Sequence, residues 1–271
     1  MKKKTSNRVS VGPLKEGGEL VTDNEKMAEM LNSWYCSVFT RENLQELPEA
    51  EKIFTGNNPL VSVQFTPEIV LKKLKKLNPD SAPGPDGIWT RVIHTMADVI
   101  CGPLSIIYSK CLEEGGVPQE WKTANVAPIY KKGPKSVPGN YQPVSLTCVL
   151  CKTMEMIICD AIIEHLKEYD LIRRSQHGFM RGRSTLTNLL MYLEELTKLI
   201  DEGHSLDLVY LDFSKAFDKV PIQRLMNKCF GLGIQGKLHD WIEKWLNGRK
   251  QRVVLNGKAS SWGDICSGVV Q

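Results

Sequence analysis

The chain has 271 residues, of which 42% are hydrophobic and 24% are charged, and its net charge is +4. This composition is typical of a globular protein and excludes an intrinsically disordered one. The first residues lack the apolar run of a signal peptide, and no stretch approaches the ~18 apolar residues that would span a membrane. We therefore predict an intracellular protein, in the nucleus or cytoplasm, without a membrane segment.

The first half of the chain predicts helices around one β-ribbon. An amphipathic helix is predicted over 23–39, and a second helix begins at Thr66, a hydroxyl N-cap followed by a proline. Two prolines and two glycines make 82–87 a loop, and helical patterns over 90–114 are expected to break near Gly102-Pro103. Residues 124–130 and 140–146 predict two strands of a ribbon whose tip carries Lys131 and Lys132.

The second half alternates helices with strand-like segments. Helices are predicted over 149–169, 184–202, 221–230 and 237–246, and a buried strand over 206–211. Ser184 is the predicted N-cap of the second of these helices. Residues 251–255 followed by Asn256-Gly257 form the strongest hairpin signal in the chain. These elements together predict a mixed α/β fold.

Basic residues gather in loops, at 2–4, 131–135, 173–183 and 249–252. Such loops suit a polyanion, although an ordinary solvated surface is the alternative for each cluster. The eight cysteines lie mostly in apolar helical runs, where a thiol behaves as a small hydrophobic group. Cys148 and Cys151 have metal-like spacing but no second pair, so core packing is favoured over a zinc or redox role.

The segment 208–220 carries the clearest chemical signal. An apolar run leads to Asp212, and Phe217 and Asp218 follow it. Nucleotidyl transfer uses two magnesium ions held by carboxylates at the ends of adjacent strands, and Asp212 fits one such ligand. The alternatives are a helix-capping role for Asp212, a core ring for Phe217, and a cap or surface acid for Asp218. No acidic pair on an apolar hairpin follows in these 271 residues.

Several motifs, in order, resemble the reverse transcriptases of non-long-terminal-repeat retrotransposons, in particular those of the jockey and chicken-repeat type. The resemblance runs from about residue 12 to residue 271. It rests on Ser-Ala-Pro-Gly-Pro-Asp-Gly-Ile at 81–88, Val-Ala-Pro-Ile-Tyr-Lys-Lys-Gly at 126–133, Asn-Tyr-Gln-Pro-Val-Ser-Leu-Thr at 140–147, Ser-Gln-His-Gly-Phe-Met-Arg-Gly-Arg-Ser-Thr at 175–185, Asp-Phe-Ser-Lys-Ala-Phe-Asp at 212–218, Trp-Ile-Glu-Lys-Trp-Leu-Asn-Gly-Arg at 241–249 and Ser-Gly-Val-Val-Gln at 267–271.

The resemblance implies an α/β right-hand polymerase fold that is mostly helical. An N-terminal extension or linker would cover 1–60, the fingers 61–203, and a partial palm with an incomplete antiparallel sheet 204–271. It further implies an RNA template, a DNA primer and Mg²⁺ as partners of the chain.

The family's functional residues map onto positions of this sequence. The resemblance implies that Asp212 is catalytic and binds Mg²⁺, and that Phe217 excludes a 2′-hydroxyl from the incoming nucleotide. The remaining candidates are Phe213, Lys131, Lys132, Gln142 and Gln271 for the nucleotide, and Arg181 and Arg183 for the template or primer backbone. For each basic candidate a solvated surface charge remains the alternative.

Three departures from the family pattern predict a catalytically incomplete chain. Gln142 stands where the family has an arginine that grips the triphosphate, and Val270 replaces a proline. The glycine-rich continuation and the later Tyr-Ala-Asp-Asp hairpin do not occur, so we expect a chain truncated before that motif. The alternatives are a non-catalytic nucleic-acid-binding remnant and a decayed product without a function.

Overall fold

The computed structural model describes residues 11–49 and 51–269. Within these residues the α-helices are α1 (Asn24–Val38), α2 (Pro67–Leu74), α3 (Thr90–Thr95), α4 (Ala97–Glu113), α5 (Val149–Glu168), α6 (Thr185–Asp201), α7 (Ile222–Gly231) and α8 (Gly236–Leu246). The strands are β1 (Leu14–Glu16), β2 (Glu19–Val21), β3 (Thr123–Tyr130), β4 (Tyr141–Thr147), β5 (Arg249–Leu255), β6 (Lys258–Ala259) and β7 (Gly263–Ile265). The predicted mixed α/β fold is confirmed.

The chain divides into two compact units, one of residues 1–162 with 215–271 and one of residues 163–214. The first unit contains a five-stranded sheet in the order β4-β3-β5-β6, with β7 paired to β5. The predicted ribbon is β3 and β4, which pair antiparallel from Ala124 opposite Thr147 to Tyr130 opposite Tyr141. Since β3 and β5 run parallel, the sheet is mixed rather than purely antiparallel, and the long helical connection between them allows this.

One face of the sheet is covered by α1. Alternate residues of β3 and β5, among them Val126 and Val253, are fully buried, as the period-two pattern of a strand requires. They pack with Met27 and Leu31 on one side of α1, which begins at the capping side chain of Asp23. The N-terminal segment therefore contributes core residues to the first unit.

The remaining helices of the first unit form a second core on α4, α5 and α8. Tyr108 is fully buried, and its hydroxyl donates to the carbonyl of Leu150 at 2.8 Å. The rings of Trp241 and Trp245 stack with centroids 6.0 Å apart on α8. Burial of these apolar side chains supplies most of the stabilisation of such a helical cluster.

The expected break near Gly102-Pro103 is wrong. The chain turns at Met96 between α3 and α4, and Pro103 lies inside α4. An interior proline removes one helical hydrogen bond, at a cost of about 3 kcal/mol. Burial of Leu104, Tyr108 and Leu112 on the same helix offsets that cost.

The second unit contains the end of α5, α6 and the loops on either side of α6. Ser184 caps the helix by accepting from the amide of Thr187, and the Thr187 side chain accepts from the Ser184 amide, as the sequence predicted for the cap. His177 is 7% exposed, and its Nδ1 lies 2.9 Å from the Thr187 hydroxyl. No residue of α6 is buried.

The predicted buried strand over 206–211 is wrong. These residues form neither helix nor strand, and Val209 and Leu211 are 80% and 91% exposed. A strand needs hydrogen-bonding partners from another segment, and none of the described residues pairs with this one. The contact that holds the segment is instead a 2.9 Å hydrogen bond between the hydroxyls of Tyr210 and Tyr192.

Candidate functional site

The tip of the β3–β4 ribbon presents two of the predicted phosphate-binding residues. Lys131 and Lys132 are both exposed in a turn closed by a 2.9 Å hydrogen bond from the Lys131 amide to the Asn140 carbonyl. The Asn140 side chain also donates to the carbonyl of Pro134, at 2.8 Å. These hydrogen bonds fix the backbone that carries two exposed ammonium groups, an arrangement that suits a phosphate-bearing ligand.

Gln142 lies on the same ribbon as the two lysines. It pairs with Ile129 across the ladder and is exposed, whereas its neighbour Tyr141 is buried on the opposite face. The ribbon thus brings Lys131, Lys132 and Gln142 together on one element. A glutamine amide there is neutral and cannot form the bidentate, charge-assisted contact of an arginine.

Phe217 lies in a turn that is clasped by residues 267–269. The Val269 amide donates to the Phe217 carbonyl at 2.9 Å, and the Gly268 amide donates to the Val220 carbonyl at 2.8 Å. The Ser267 hydroxyl donates to the Asp218 carbonyl at 2.7 Å. We call residues 217–220 with 267–269 the clasp. It fixes the backbone that carries the predicted sugar-checking ring.

The clasp is also tied to the segment after α1. Ser267 is fully buried, and its hydroxyl accepts a 2.8 Å hydrogen bond from the Thr40 amide. The pKa of the half-buried Asp218 carboxyl is raised by burial, a shift that the Lys215 ammonium opposes. Sequence reasoning missed Ser267 and Thr40, because only the fold brings these remote positions together. Gln271 lies outside the described residues.

Asp212 and Phe213 lie in the second unit, and both are exposed. Asp212 was expected to end a strand. That expectation is wrong because residues 206–211 find no strand partner among the described residues. In the described part of the chain no three His, Cys, Asp or Glu side chains are grouped so as to hold a metal ion. One carboxylate does not make a two-metal site, so no catalytic step through a metal follows from these residues.

Arg181 and Arg183 also lie in the second unit, in the loop before α6, and are exposed. The Arg183 guanidinium donates to the carbonyls of Arg174 and Gln176, at 2.5 and 2.6 Å. These bonds close the 174–183 loop, a role that the sequence pattern did not indicate. Arg181 is the more open of the two to a phosphate.

Cys148 and Cys151 are both buried at the start of α5. Burial raises the pKa of Cys148 to about 12, and the Cys151 thiol donates to Glu155. Zinc binds the deprotonated thiolate, and burial of these two cysteines disfavours that form. The geometry therefore favours the core-packing interpretation.

No helix of the described residues is both long enough and apolar enough to cross a bilayer. The family model described as reverse transcriptase (RNA-dependent DNA polymerase) matches residues 129–271. Members of this family act on nucleic acids and use divalent metal ions.

Individual relatives come from mobile elements without long terminal repeats. The chain is 26% identical over 238 residues to the probable RNA-directed DNA polymerase from transposon BS of Drosophila melanogaster, covering 84% of this chain and 26% of the relative. It is 29% identical over 223 residues to the RNA-directed DNA polymerase from mobile element jockey of the same species, covering 82% and 24%. The chain thus spans about a quarter of the length of these relatives. The match over more than half of its residues means that the chain belongs to the reverse transcriptase (RNA-dependent DNA polymerase) family.

Proposed function

We propose that this chain forms the fingers and the first part of the palm of an RNA-directed DNA polymerase that copies the RNA of its own retrotransposon. The observation that carries the proposal is the ordered β3–β4 ribbon, which presents Lys131, Lys132 and Gln142 together. Residues 61–203 would act as fingers and residues 204–271 as the palm portion, with an RNA template and a DNA primer as partners.

Each candidate residue has a role in this proposal. Asp212 supplies one carboxylate to Mg²⁺, and Phe217, held by the clasp, excludes the 2′-hydroxyl of a ribonucleotide. Lys131 and Lys132 approach the triphosphate as point charges. The other nucleotide contacts are Phe213, Gln142 and Gln271, and the contacts to the template or primer backbone are Arg181 and Arg183.

These 271 residues should bind nucleic acid but should not extend a primer by themselves. A two-metal transfer requires several carboxylates to hold both ions, and the candidate here is Asp212 alone. Gln142 weakens triphosphate binding by about 1.5–3 kcal/mol, the range for a hydrogen bond to a charged group. Lysine contacts to phosphate need no metal, so binding survives.

The binding test is charge reversal at the ribbon tip. The double variant Lys131→Glu/Lys132→Glu should reduce affinity for an RNA–DNA hybrid by about tenfold and lower the slope of log K against log salt by about 2. Fluorescence anisotropy across a salt series measures both quantities. The matched control is Lys72→Glu/Lys76→Glu on and just after α2, which makes the same charge change on exposed lysines. Equal losses in the two double variants would contradict a specific role of the ribbon.

The catalytic test is primer extension on an RNA template with Mg²⁺. The 271-residue protein should give no extension, and a chimera carrying the remaining palm and thumb of a related element should. In the chimera, Gln142→Arg should raise activity and Asp212→Asn should abolish it. Asp212-dependent synthesis by the 271 residues alone would contradict the proposed incompleteness.

The second candidate function is that of a non-catalytic nucleic-acid-binding protein. The neutral Gln142 on the ribbon favours this function. The same chimera separates the two functions. If the added palm and thumb leave the protein inactive while hybrid binding persists, the binding function is the better description.

A further inference from the structure

A small cavity of about 40 Å³ lies beside the clasp in the first unit. It is bounded by the end of α1, one face of the sheet and residues 265–269. The polar side chains that line it belong to Tyr35, Ser145, Lys215, Asp218, Arg249, Gln251 and Ser267. We propose that this cavity, whose lining does not include the ribbon tip, binds one small tetrahedral oxyanion, such as inorganic phosphate.

Arg249 is the first argument for an anion. Its side chain is 3% exposed, and its Cζ lies 4.9 Å from the centre of the Trp245 ring. The Nε atom has no hydrogen-bond partner within the described part of the chain. A buried guanidinium keeps its charge, and leaving that charge without a counter-ion is strongly unfavourable.

The Glu155 carboxylate does not satisfy Arg249. Burial lowers the pKa of the guanidinium, and the Glu155 carboxylate raises it only in part. Glu155 instead accepts from the Trp245 indole nitrogen at 3.1 Å and from the Cys151 thiol at 3.0 Å. Among the described residues Arg249 makes no ion pair within 4.0 Å, so an anion in the cavity would supply the missing charge.

Tyr35 is the second, independent argument. It is 4% exposed, and its hydroxyl also lacks a hydrogen-bond partner among the described residues. Burial raises the pKa of this phenol, and the nearby Asp218 raises it further, so it stays a donor. Tyr35 on α1 and Arg249 on β5 therefore both line the cavity, and each carries a buried donor without a partner among the described residues. We expect an oxyanion in the cavity to accept from both donors.

Size and charge select the class of ligand. A buried water needs roughly 10–15 Å³, whereas pockets for drug-sized ligands are about 300–1,000 Å³. The cavity is thus larger than one water needs and too small for a nucleotide. Its lining holds two cations, Lys215 and Arg249, and one carboxylate, Asp218, which leaves one net positive charge. Guanidinium pairs well with phosphate oxygens.

The test uses thermal unfolding of the 271-residue protein in phosphate and in chloride at equal ionic strength. Specific binding to the folded state should raise the Tm saturably, by about 3–5 °C over chloride. Sulfate, a tetrahedral oxyanion of similar size, should act similarly. A phosphate effect no larger than that of chloride would overturn the proposal.

Variants of the lining residues test whether the phosphate-dependent rise in Tm comes from binding in the cavity. Arg249→Met should abolish the phosphate response, and Tyr35→Phe should weaken phosphate binding about fivefold while preserving the fold. Asp218→Asn should strengthen binding because it removes a repelling carboxylate. If Arg249→Met does not fold, the Tyr35→Phe and Asp218→Asn responses, opposite in sign, decide the matter.

The matched control is Arg252→Met. Arg252 also stacks on a tryptophan, with its Cζ 4.6 Å from the centre of the Trp262 ring, but its Nε donates to Asn125 and it does not line the cavity. This variant should keep the full phosphate response. Loss of the response in Arg252→Met would show that phosphate acts at cations outside the cavity, and would overturn the assignment to the cavity.

Discussion

Single residues in the clasp allow two remote segments to approach closely. Gly268 has a φ of +91°, in the left-handed region that glycine adopts without strain. A Cβ at this position would lie 2.6 Å from the Phe217 carbonyl oxygen and 2.9 Å from that of Asp218. The clasp hydrogen bonds require Gly268 to lie close to the backbone of residues 217 and 218, and this leaves no room for a side chain at Gly268.

Gly268→Ala should lower the free energy of unfolding by about 2–3 kcal/mol, because a Cβ adds both backbone strain and overlap with backbone atoms. The control is Gly102→Ala inside α4, where a Cβ meets nothing within 4 Å. That change should stabilise the helix by up to about 1 kcal/mol. Urea unfolding measures both, and equal shifts in the two variants would contradict the close approach.

Asp218 provides a pH-dependent contribution to stability. Burial raises the pKa of its carboxyl, so the folded state holds the proton more tightly than the unfolded chain. The tighter proton binding stabilises the folded state. This stabilisation is fully present below the unfolded pKa of ~3.9 and is lost as the pH rises through the folded pKa. Asp218→Asn should therefore raise the Tm at neutral pH.

The gain from Asp218→Asn should shrink as the pH approaches about 4, where the wild-type carboxyl is increasingly protonated in both states. Thermal unfolding in phosphate-free buffer across this range measures the change. Asp264→Asn, at an exposed carboxylate on β7, is the control. A gain from Asp218→Asn that stays constant with pH would refute this assignment.

At the scale of elements, α7 begins with a cap from a distant segment. The Glu42 carboxylate accepts from the amides of Gln223 and Arg224, at 2.9 and 3.2 Å, and lies 3.5 Å from the Arg224 Nε. Pro221 precedes the helix and supplies no side-chain cap. A carboxylate at a helix N-terminus also interacts favourably with the helix dipole. Residues after α1 thus stabilise α7.

Glu42→Gln should reduce the unfolding free energy by about 1–2 kcal/mol, because a partly buried charge-assisted cap is replaced by a neutral amide. Asp80→Asn is the control, since Asp80 pairs with Arg91 at a site where both side chains are more than 70% exposed. That loss should stay within about 0.5 kcal/mol. Denaturant unfolding of both variants makes the comparison, and similar losses would count against the cap.

At the scale of the whole molecule, the two compact units differ in how far they bury their apolar side chains. The first unit buries two clusters, one under the sheet and one among the helices. In the second unit Leu186, Leu189 and Leu190 on α6 are 64%, 50% and 56% exposed, and Phe213 is 86% exposed. Because exposed apolar surface favours association, we expect these side chains to promote self-association of the protein.

Leu189→Glu should therefore reduce self-association of the 271-residue protein and its binding of a hydrophobic dye. Asn188→Glu places the same charge on the neighbouring exposed residue of α6 and should change neither. Sedimentation velocity and dye fluorescence measure the two effects. If both variants behave like the wild type, the exposed leucines do not drive association.

The sequence by itself determined the elements whose signals are local. Asn256-Gly257 adopts positive φ at both positions, 49° and 81°, as a two-residue hairpin turn requires. The caps of α2 and α6 and the β3–β4 ribbon also formed where their residues predicted them. Family membership likewise followed from motifs in order, because each motif is a contiguous stretch that needs no fold to be read.

Only the tertiary structure decided how remote segments meet. The clasp, the Glu42 cap and the buried Arg249 depend on contacts between positions far apart in the chain, which no local pattern encodes. The same reason explains the error at 206–211: apolar residues favour a strand locally, but a strand forms only where another segment supplies hydrogen-bond partners. The position of Phe217 therefore follows from its long-range hydrogen bond with Val269, whereas Asp212 follows a segment that pairs with no strand among the described residues.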